Sequence, residues 1–258
     1  MAEAMNTGPR EWDAETYDAV SDPQFQWGME VLERLELRGD ERAVDAGCGS
    51  GRVTEQLLAR LPEGRMTAVD GSEAMIAKAR ERLGEGATYV VTDLSELNLP
   101  EPADLIFSTA TFHWIVDHER LFARLRENLV PGGRLVAQCG GAGNVAGHAQ
   151  AIAAVATRPE YLPHFEGMSA MWNFAEAEPT AERLRVAGFA DVRCWLEPKP
   201  YEPVDPLRFT MTVTLGPHLA RLPGPDRQPF AEAVVALCGE PLTLDYVRLN
   251  IEARVPSP

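Results

Sequence analysis

The sequence predicts an α/β protein in which helices cover a parallel sheet. Between residues 41 and 139, short apolar runs alternate with segments whose apolar residues recur at helical spacing, and this alternation is typical of doubly wound sheets. The chain has 258 residues, 45% of them hydrophobic, which is enough to bury one sizeable core. We therefore expect one domain with insertions, or one domain and a half.

The elements follow from the alternation in chain order. Ser72 followed by Glu73 provides a capping hydroxyl and an acid for the first turn of the second helix. The Pro-Gly-Gly segment at 131–133 is expected to end the third helix before the fifth strand. The predicted strands are 42–45, 66–70, 89–93, 104–108 and 134–139, and the predicted helices are 52–61, 72–83 and 118–129.

The flanking regions predict a four-part organisation. Residues 1–40 are expected to form N-terminal helices that cover the ligand edge of the sheet, and residues 41–139 its ligand-binding core. Residues 140–180 are an insertion long enough to predict a lid. Residues 181–258 are expected to complete the sheet, with strands at 192–196 and 244–255.

The charge excludes several classes of partner. The formal net charge is −15, and the first 40 residues contain 10 acidic and 3 basic side chains, so binding to nucleic acid or to an anionic membrane is disfavoured. We see neither an apolar run of membrane-spanning length nor a signal peptide, and we expect a cytoplasmic protein. The four cysteines have neither CxxC nor zinc-ligand spacing, so no metal site is predicted.

A glycine-rich turn and two aspartates predict an adenosine site. The turn Gly47-x-Gly49-x-Gly51 leaves the first strand and enters a helix, where backbone amides can face a polar ligand. Asp70 ends the second strand, where a carboxylate can accept both ribose hydroxyls. Asp93 ends the third and can accept from the exocyclic amine of adenine.

The spacing of the glycines narrows the type of adenosine ligand. The dinucleotide fingerprint requires a glycine where Arg52 stands, and the bulk of arginine would prevent close packing of helix and strand. No Gly-Lys-Ser/Thr follows, so a phosphate-binding P-loop is also excluded.

Five motifs together resemble those of the class I S-adenosylmethionine-dependent methyltransferases. They are VDAGCGSG at 44–51, AVDGSEAMIAKAR at 68–80, VVTDL at 90–94, DLIFSTATFHW at 104–114 and LVPGGRLVAQ at 129–138. The ATFHW order and the N-terminal WDAETYDAV segment are most similar to the trans-aconitate and juvenile-hormone-acid carboxyl methyltransferases. The resemblance implies a Rossmann-like sheet of seven strands, the last antiparallel.

The resemblance also implies a donor site for S-adenosyl-L-methionine, with S-adenosyl-L-homocysteine as product. Asp70 would bind the ribose and Asp93 the adenine amine. The remaining implied positions are Asp45, Gly47 and Gly49 around the methionine part, Met75 against the adenine ring with Leu94 nearby, and Thr109 with Ala110 beside the sulfonium.

Each candidate on the acceptor side has a functional and a structural interpretation. His113 is a hydrogen-bond donor, a general base, or a structural histidine; Trp114 is a pocket wall or a core anchor. Tyr17 and Gln26 reach the ligands from the N-terminal helices or only pack there. His148, His164 and Trp172 line the acceptor pocket or form a core within the lid.

The function predicted on this basis is methyl transfer to a small molecule, with a carboxylic acid ranked first because of the resemblance. A carboxylate needs no base, whereas a phenol or amine would need one, and His113 is then the candidate. The acceptor carboxylate requires a cation, for which Arg158, Arg193 and Arg248 are candidates. Alternatives are methylation of a malonyl group on acyl carrier protein and non-catalytic donor binding, and the protein is expected to be a monomer or homodimer.

Overall fold

The structure, a computed structural model, describes residues 22–168 and 172–257. Its centre is a seven-stranded sheet in the order β3-β2-β1-β4-β5-β7-β6. The first five strands are parallel, and β7 runs antiparallel to both β5 and β6. The sheet expected from the sequence is confirmed. Its strands are β1 (Arg42–Ala46), β2 (Arg65–Asp70), β3 (Ala87–Val91), β4 (Ala103–Thr109), β5 (Leu129–Gly140), β6 (Ala190–Pro198) and β7 (Val247–Arg254).

Helices cover the sheet and extend over one end of it. Ser72 caps its helix as predicted, because its Oγ accepts a hydrogen bond from the Met75 amide at 3.3 Å. The helices are α1 (Asp22–Glu33), α2 (Arg52–Leu58), α3 (Glu73–Leu83), α4 (His118–Glu127), α5 (Ala146–Ala156), α6 (Leu162–Phe165), α7 (Ala177–Val186), α8 (Pro206–Phe209), α9 (Gly216–Arg221) and α10 (Gly224–Leu237), with a π-helix at Thr210–Thr214.

The core lies on both faces of the sheet because successive side chains of a strand point to opposite sides. In β4, Leu105 and Phe107 pack with α1 and α2 on one face. Ile106, between them, packs on the other face with the apolar residues of α4 and α7. All three side chains are fully buried, so both faces of β4 are covered.

Most predicted boundaries shift by one to five residues, and two of these shifts change an assignment. β5 begins at Leu129, which pairs with Ala103, so the Pro-Gly-Gly segment at 131–133 lies inside the strand and does not end the preceding helix. The Asn128 carbonyl accepts from the Ala103 amide at 2.8 Å, which fixes this early pairing. β3 ends at Val91, so Asp93 stands two residues beyond the strand.

A cap of helices stands over the carboxyl end of the sheet and draws on two separate parts of the sequence. Helices α5 and α6 of the predicted lid pack with α9 and α10, which lie between β6 and β7, around Val155, Tyr161, Leu219 and Phe230. We call α5, α6, α8, the π-helix, α9 and α10 the helical cap. Within the described residues, no helix is both long and apolar enough to span a membrane.

Candidate functional site

The glycine turn is held against the end of β2. The amides of Gly47 and Cys48 both donate to the Val69 carbonyl, at 2.7 and 2.9 Å. Gly47 has φ +87°, and a Cβ there would stand 2.1 Å from Thr111 Oγ1. A side chain is therefore excluded both by backbone conformation and by space.

Gly49 faces open space. It has φ +53°, and a Cβ there would meet no atom within 4 Å, so a ligand can approach the backbone at this point. Its amide donates to Asp70 Oδ2 at 3.0 Å, and the Ser72 amide donates to Oδ1 at 2.9 Å. Since each carboxylate oxygen accepts more than one hydrogen bond, Asp70 is positioned by the backbone and can still accept from ligand hydroxyls.

Asp45 is a buried carboxyl beneath this turn. Its Oδ2 accepts from Thr54 Oγ1 at 2.7 Å, and its Oδ1 has no hydrogen-bond partner within the described residues. Burial, and secondarily the charge of Asp70, raise the pKa of Asp45 to about 7. A cationic ligand at this point would offset that cost, which fits a donor that carries an ammonium and a sulfonium group.

The other predicted donor residues lie on neighbouring elements. Asp93 Oδ1 accepts from the amide and hydroxyl of Ser95 at 2.8 and 2.7 Å, capping a short 3-10 turn. Met75 is buried on α3, and Leu94 is buried in the main core. Thr109 ends β4 next to Gly28 of α1. The residues at this edge thus fit an adenosine-type donor.

A pocket beside Thr109, which we call the acceptor-side pocket, is assembled from distant segments: α1, the end of β4, the start and end of the predicted lid, the π-helix and β7. Trp114 is one of the residues that line it. The lining residues are Gln24, Ala110, His113, Trp114, Asn144, Val145, Trp172, Phe174, Val213, Thr214, Tyr246 and Arg248.

Unusual backbone conformations converge on this pocket. Ala110 and Val145 have φ of 57° and 49°, in the left-handed region that L residues, and β-branched ones above all, avoid. The π-helix Thr210–Thr214 supplies two further lining residues. Because strained backbone and π-helices concentrate at functional sites, these features indicate that the pocket is a functional site.

His113 is a neutral hydrogen-bonding group. Its ring is buried, and its Nδ1 accepts from the Gly140 amide at 3.3 Å. Burial, followed by the positive charge of Arg248, holds the pKa of His113 well below its usual value. The neutral ring with an occupied Nδ1 carries its proton on Nε2, where it can donate.

Arg248 is the one of the three candidate arginines that the pocket contains. It is 3% exposed, and its guanidinium carbon lies 4.9 Å from the ring centroid of Trp27. Arg193 is exposed and stacks on Trp195 at 4.6 Å. Arg158 follows α5 and is not among the lining residues.

The remaining predicted residues are placed as follows. Gln26 is exposed and does not line the pocket, whereas Gln24 does. Residues two positions apart on a helix point about 200° away from each other around its axis, so the two side chains face opposite ways. Tyr17 lies outside the described residues.

The three candidates from the predicted lid lie at different distances from the pocket. His148 stands behind the lining residue Thr214, with its Nε2 2.8 Å from the threonine Oγ1. His164 is partly exposed on α6 and does not line the pocket, whereas Trp172 does.

A wider depression of about 400 Å³ lies at the opposite edge of the sheet, where β4 and β5 begin. Two of its three arginines are engaged by acids: Arg134 lies 3.4 Å from Glu41, and Arg38 lies 3.0 Å from Asp40. Ligands of open α/β sheets bind at the carboxyl ends of the strands, so we assign the site to the glycine turn and the acceptor-side pocket.

Comparisons with known proteins identify the family. A family model described as a methyltransferase domain matches residues 43–133. The trans-aconitate 2-methyltransferase of Methylobacterium nodulans is 33% identical over 186 residues, which cover 72% of this chain and 67% of that protein. That of Acidovorax ebreus is 38% identical over 128 residues, covering 50% of this chain and 49% of its own.

Solved structures share the fold. Phosphoethanolamine N-methyltransferase 2 of Haemonchus contortus, in complex with S-adenosyl-L-methionine, has a TM-score of 0.61 and 19% identity, covering 95% of this chain and 57% of that one. The cyclase SpnF has a TM-score of 0.62 and 21% identity, covering 99% and 89%, so the fold alone does not fix the reaction. The match to the methyltransferase family model and the identity to the trans-aconitate 2-methyltransferases show that the chain belongs to the S-adenosylmethionine-dependent methyltransferases.

Proposed function

We propose that this protein transfers the methyl group of S-adenosyl-L-methionine to a carboxylate oxygen of a small acid. The observation that carries the proposal is the buried guanidinium of Arg248 in the acceptor-side pocket. A guanidinium carries five N–H donors and can bind more than one group at once, so Arg248 can bind a carboxylate in addition to stacking on Trp27. An acceptor carboxylate would bind this fork through charge-assisted hydrogen bonds.

On the donor side, we propose that Asp70 binds the ribose and Asp93 the adenine amine. Gly47 and Gly49 would give the methionine part access to the backbone, with Asp45 supplying negative charge. Met75 and Leu94 would flank the adenine, and Thr109 would stand near the sulfonium. The open space at Gly49 and the unpartnered Oδ1 of Asp45 support this arrangement.

The state of His113 favours the hydrogen-bond-donor interpretation over the general base. With Nδ1 accepting from Gly140 and the pKa of the ring held low, the proton stands on Nε2. In that form the ring can orient an acceptor oxygen but cannot remove a proton from it. This matches a carboxylate, which is already ionised at neutral pH.

Methyl transfer to such an acceptor makes few chemical demands on the protein. When bound, S-adenosyl-L-methionine supplies a sulfonium methyl group, so an oxygen–carbon bond replaces the sulfur–carbon bond and no proton has to leave the acceptor. The protein must align the acceptor and exclude water. Arg248 and His113 would orient the carboxylate, and Trp114 and the helical cap would shield it.

Arg248→Gln tests the proposal, with Arg193→Gln as the matched control on the exposed surface of β6. We expect kcat/KM for a carboxylic acid to fall about 100-fold in Arg248→Gln, the value of a lost charge-assisted hydrogen bond, and to stay unchanged in Arg193→Gln. Binding of S-adenosyl-L-homocysteine, measured by calorimetry, should be preserved in both variants and reports on folding. Equal losses on acids and on uncharged phenols would contradict the proposal.

We propose that the binding partner of this protein is its small-molecule acceptor, and not a nucleic acid or a membrane. We also propose that the protein is a cytoplasmic monomer or homodimer. The net charge of −15 supports the proposal that it does not bind nucleic acid. Sedimentation of the purified chain, alone and with duplex DNA, measures both properties.

A further inference from the structure

We infer that His148 is a positioning residue of the acceptor side. It fixes Thr214, and with it the π-helix wall of the acceptor-side pocket, through a hydrogen bond made from behind that wall. The inference rests on the proposed function only in taking this pocket as the place where the methyl acceptor binds. Among the residues that the structure describes, the pocket lining contains Thr214 but not His148, so His148 acts through Thr214.

His148 is buried where three parts of the helical cap meet. It lies on α5 and is 3% exposed. Its Nε2 lies 2.8 Å from Oγ1 of Thr214 on the π-helix, and its Nδ1 lies 3.3 Å from Sγ of Cys238, the residue that follows α10. The ring therefore joins α5 both to the π-helix and to the end of α10.

The hydroxyl of Thr214 fixes the direction of these hydrogen bonds. It donates its hydrogen to the Thr210 carbonyl at 3.0 Å, because a carbonyl oxygen can only accept. Burial lowers the pKa of His148 to about 4, so the ring is neutral at pH 7 and carries one proton. That proton stands on Nε2 and is donated to Thr214, and the free Nδ1 accepts from the thiol of Cys238.

The wall that His148 supports is a single π-helical turn. The Leu215 amide donates to the Thr210 carbonyl, five residues back, at 2.9 Å. Such turns are rare and occur mainly at functional sites. Val213 and Thr214 of this turn line the pocket, and a side chain that must orient a ligand has to be held in place by its neighbours. The hydrogen bond from His148 provides such support from outside the turn's own backbone.

Two amides of different length test this hydrogen bond. The side-chain nitrogen of glutamine can take the place of Nε2 and donate to Thr214, whereas asparagine reaches only the place of Nδ1. We expect KM for the acceptor to rise about tenfold in His148→Asn, the value of one lost hydrogen bond, and kcat to change less. In His148→Gln, KM should stay within about twofold of the natural value. His164→Asn, on the partly exposed surface of α6, should change neither constant.

A double-mutant cycle tests whether His148 acts through Thr214. Thr214→Val removes the hydroxyl and should raise KM about tenfold as well. The double variant His148→Asn/Thr214→Val should not exceed the single variants, because all three lose the same hydrogen bond. Additive losses would show that the two residues act independently and would overturn the inference. Binding of S-adenosyl-L-homocysteine, measured by calorimetry, should be preserved throughout and reports on folding.

Nuclear magnetic resonance tests the geometry without any acceptor. At pH 7 the imidazole nitrogen signals of His148 should show the proton on Nε2. The backbone amide signals of the π-helix should be displaced in His148→Asn and return toward their natural positions in His148→Gln. A proton on Nδ1, or equal displacement in the two variants, would overturn the inference.

The choice of acceptors separates this inference from the proposed function. Turnover of trans-aconitate, benzoate and catechol is followed as release of S-adenosyl-L-homocysteine, and KM is determined for the acceptor that reacts fastest. Turnover of catechol alone would contradict the proposed function and leave the test of His148 intact. An equal KM in His148→Asn and His148→Gln would overturn the inference and leave carboxylate methylation standing. If none of the three reacts, the magnetic resonance measurements decide.

Discussion

The donor side and the acceptor side of the site are built in opposite ways. On the donor side, the segment from Asp45 to Asp70 is 26 consecutive residues, and the Gly49 amide ties the glycine turn to Asp70. On the acceptor side, Gln24 and Arg248 come from the two ends of the described chain yet line one pocket. The first is a local motif, and the second exists only once the tertiary structure has formed.

The two sides also differ in how they use backbone conformation. The donor turn places glycines at positive φ, where they cost little. The acceptor-side pocket places Ala110 and Val145 there, at a cost of about 1–3 kcal/mol each. The donor side thus carries little backbone strain, whereas the strain on the acceptor side has to be offset by the packing around it.

The largest expected effect is a loss of stability in acid that originates on the acceptor side. Burial holds the pKa of His148 at about 4, so the folded protein keeps this ring neutral while the unfolded chain binds a proton below about pH 6.5. Stability is therefore full above pH 6.5 and falls as the pH drops toward 4, by about 3 kcal/mol for this group. Burial lowers the pKa values of His113 and His118 as well, with the same sign.

Urea unfolding at pH 7 and at steps down to pH 4 measures this loss. In His148→Asn, the dependence of the unfolding free energy on pH should become shallower, because the titrating ring is gone. His164→Asn, on the partly exposed surface of α6, should leave it unchanged. An identical slope in His148→Asn and the natural protein would show that the acid sensitivity does not come from the helical cap.

The same division explains how much of the fold was predictable. Strand periodicity and the glycine turn are local, and they predicted the central sheet and the cap at Ser72. The sequence does not predict the start of β5 at Leu129, because Pro-Gly-Gly ordinarily breaks structure. Here the segment lies at a register shift between β4 and β5, and hydrogen bonds of Gly132 and Gly133 with Val255 hold it in place. The helical cap joins residues 146–165 to residues 206–237, two segments separated by 40 residues of sequence, and no local pattern predicts their contact.

The predictability of the site follows the same rule. Asp70 was placed correctly at the end of β2 and against the turn, since both are read from spacing. The sequence predicted Gln26 as a site residue, whereas Gln24 lines the pocket, because the sequence does not fix which face of α1 points toward the pocket. The sequence did not distinguish Arg248 from the other candidates Arg158 and Arg193, because it does not show that Arg248 is buried in the folded protein. Alternation of apolar residues around Arg248 was the available signal.

A second prediction tests the donor side with a pair of glycines. Gly49→Ala should weaken binding of S-adenosyl-L-homocysteine about 30-fold, or about 2 kcal/mol, because the methyl group would occupy space left for the ligand. Gly239→Ala is the matched control: this residue has φ +92° and also meets no atom within 4 Å of a built Cβ, but it follows α10. Both variants should lose about 1 kcal/mol of stability through backbone strain.

Calorimetric titration and urea unfolding of both variants provide the comparison. A loss of ligand affinity confined to Gly49→Ala would show that the open space at the turn belongs to the ligand. Equal affinity of the two variants would mean that the ligand lies elsewhere, and the local character of the donor side would then be in doubt.

The smallest expected effect distinguishes the two sides by the direction of their proton exchange. Because the pKa of Asp45 is raised to about 7 in the ligand-free protein, its carboxyl is half protonated at neutral pH. Cationic S-adenosyl-L-methionine should favour the ionised form, so binding releases up to about half a proton at pH 7. Affinity should rise about fivefold between pH 6 and 7.5, which is about 1 kcal/mol, and then level off.

Calorimetry in two buffers of different ionisation enthalpy measures the released proton directly. Asp45→Asn should abolish the release and flatten the pH dependence of affinity, whereas Asp191→Asn, at an exposed position, should preserve both. Proton uptake, or release that persists in Asp45→Asn, would contradict a role for this carboxyl beside the cationic donor. Proton release by Asp45 and acid sensitivity caused by His148 would together show that burial shifts pKa values in opposite directions on the two sides. On the donor side it raises the pKa of an acid and keeps it protonated, and on the acceptor side it lowers the pKa of a base and keeps it unprotonated.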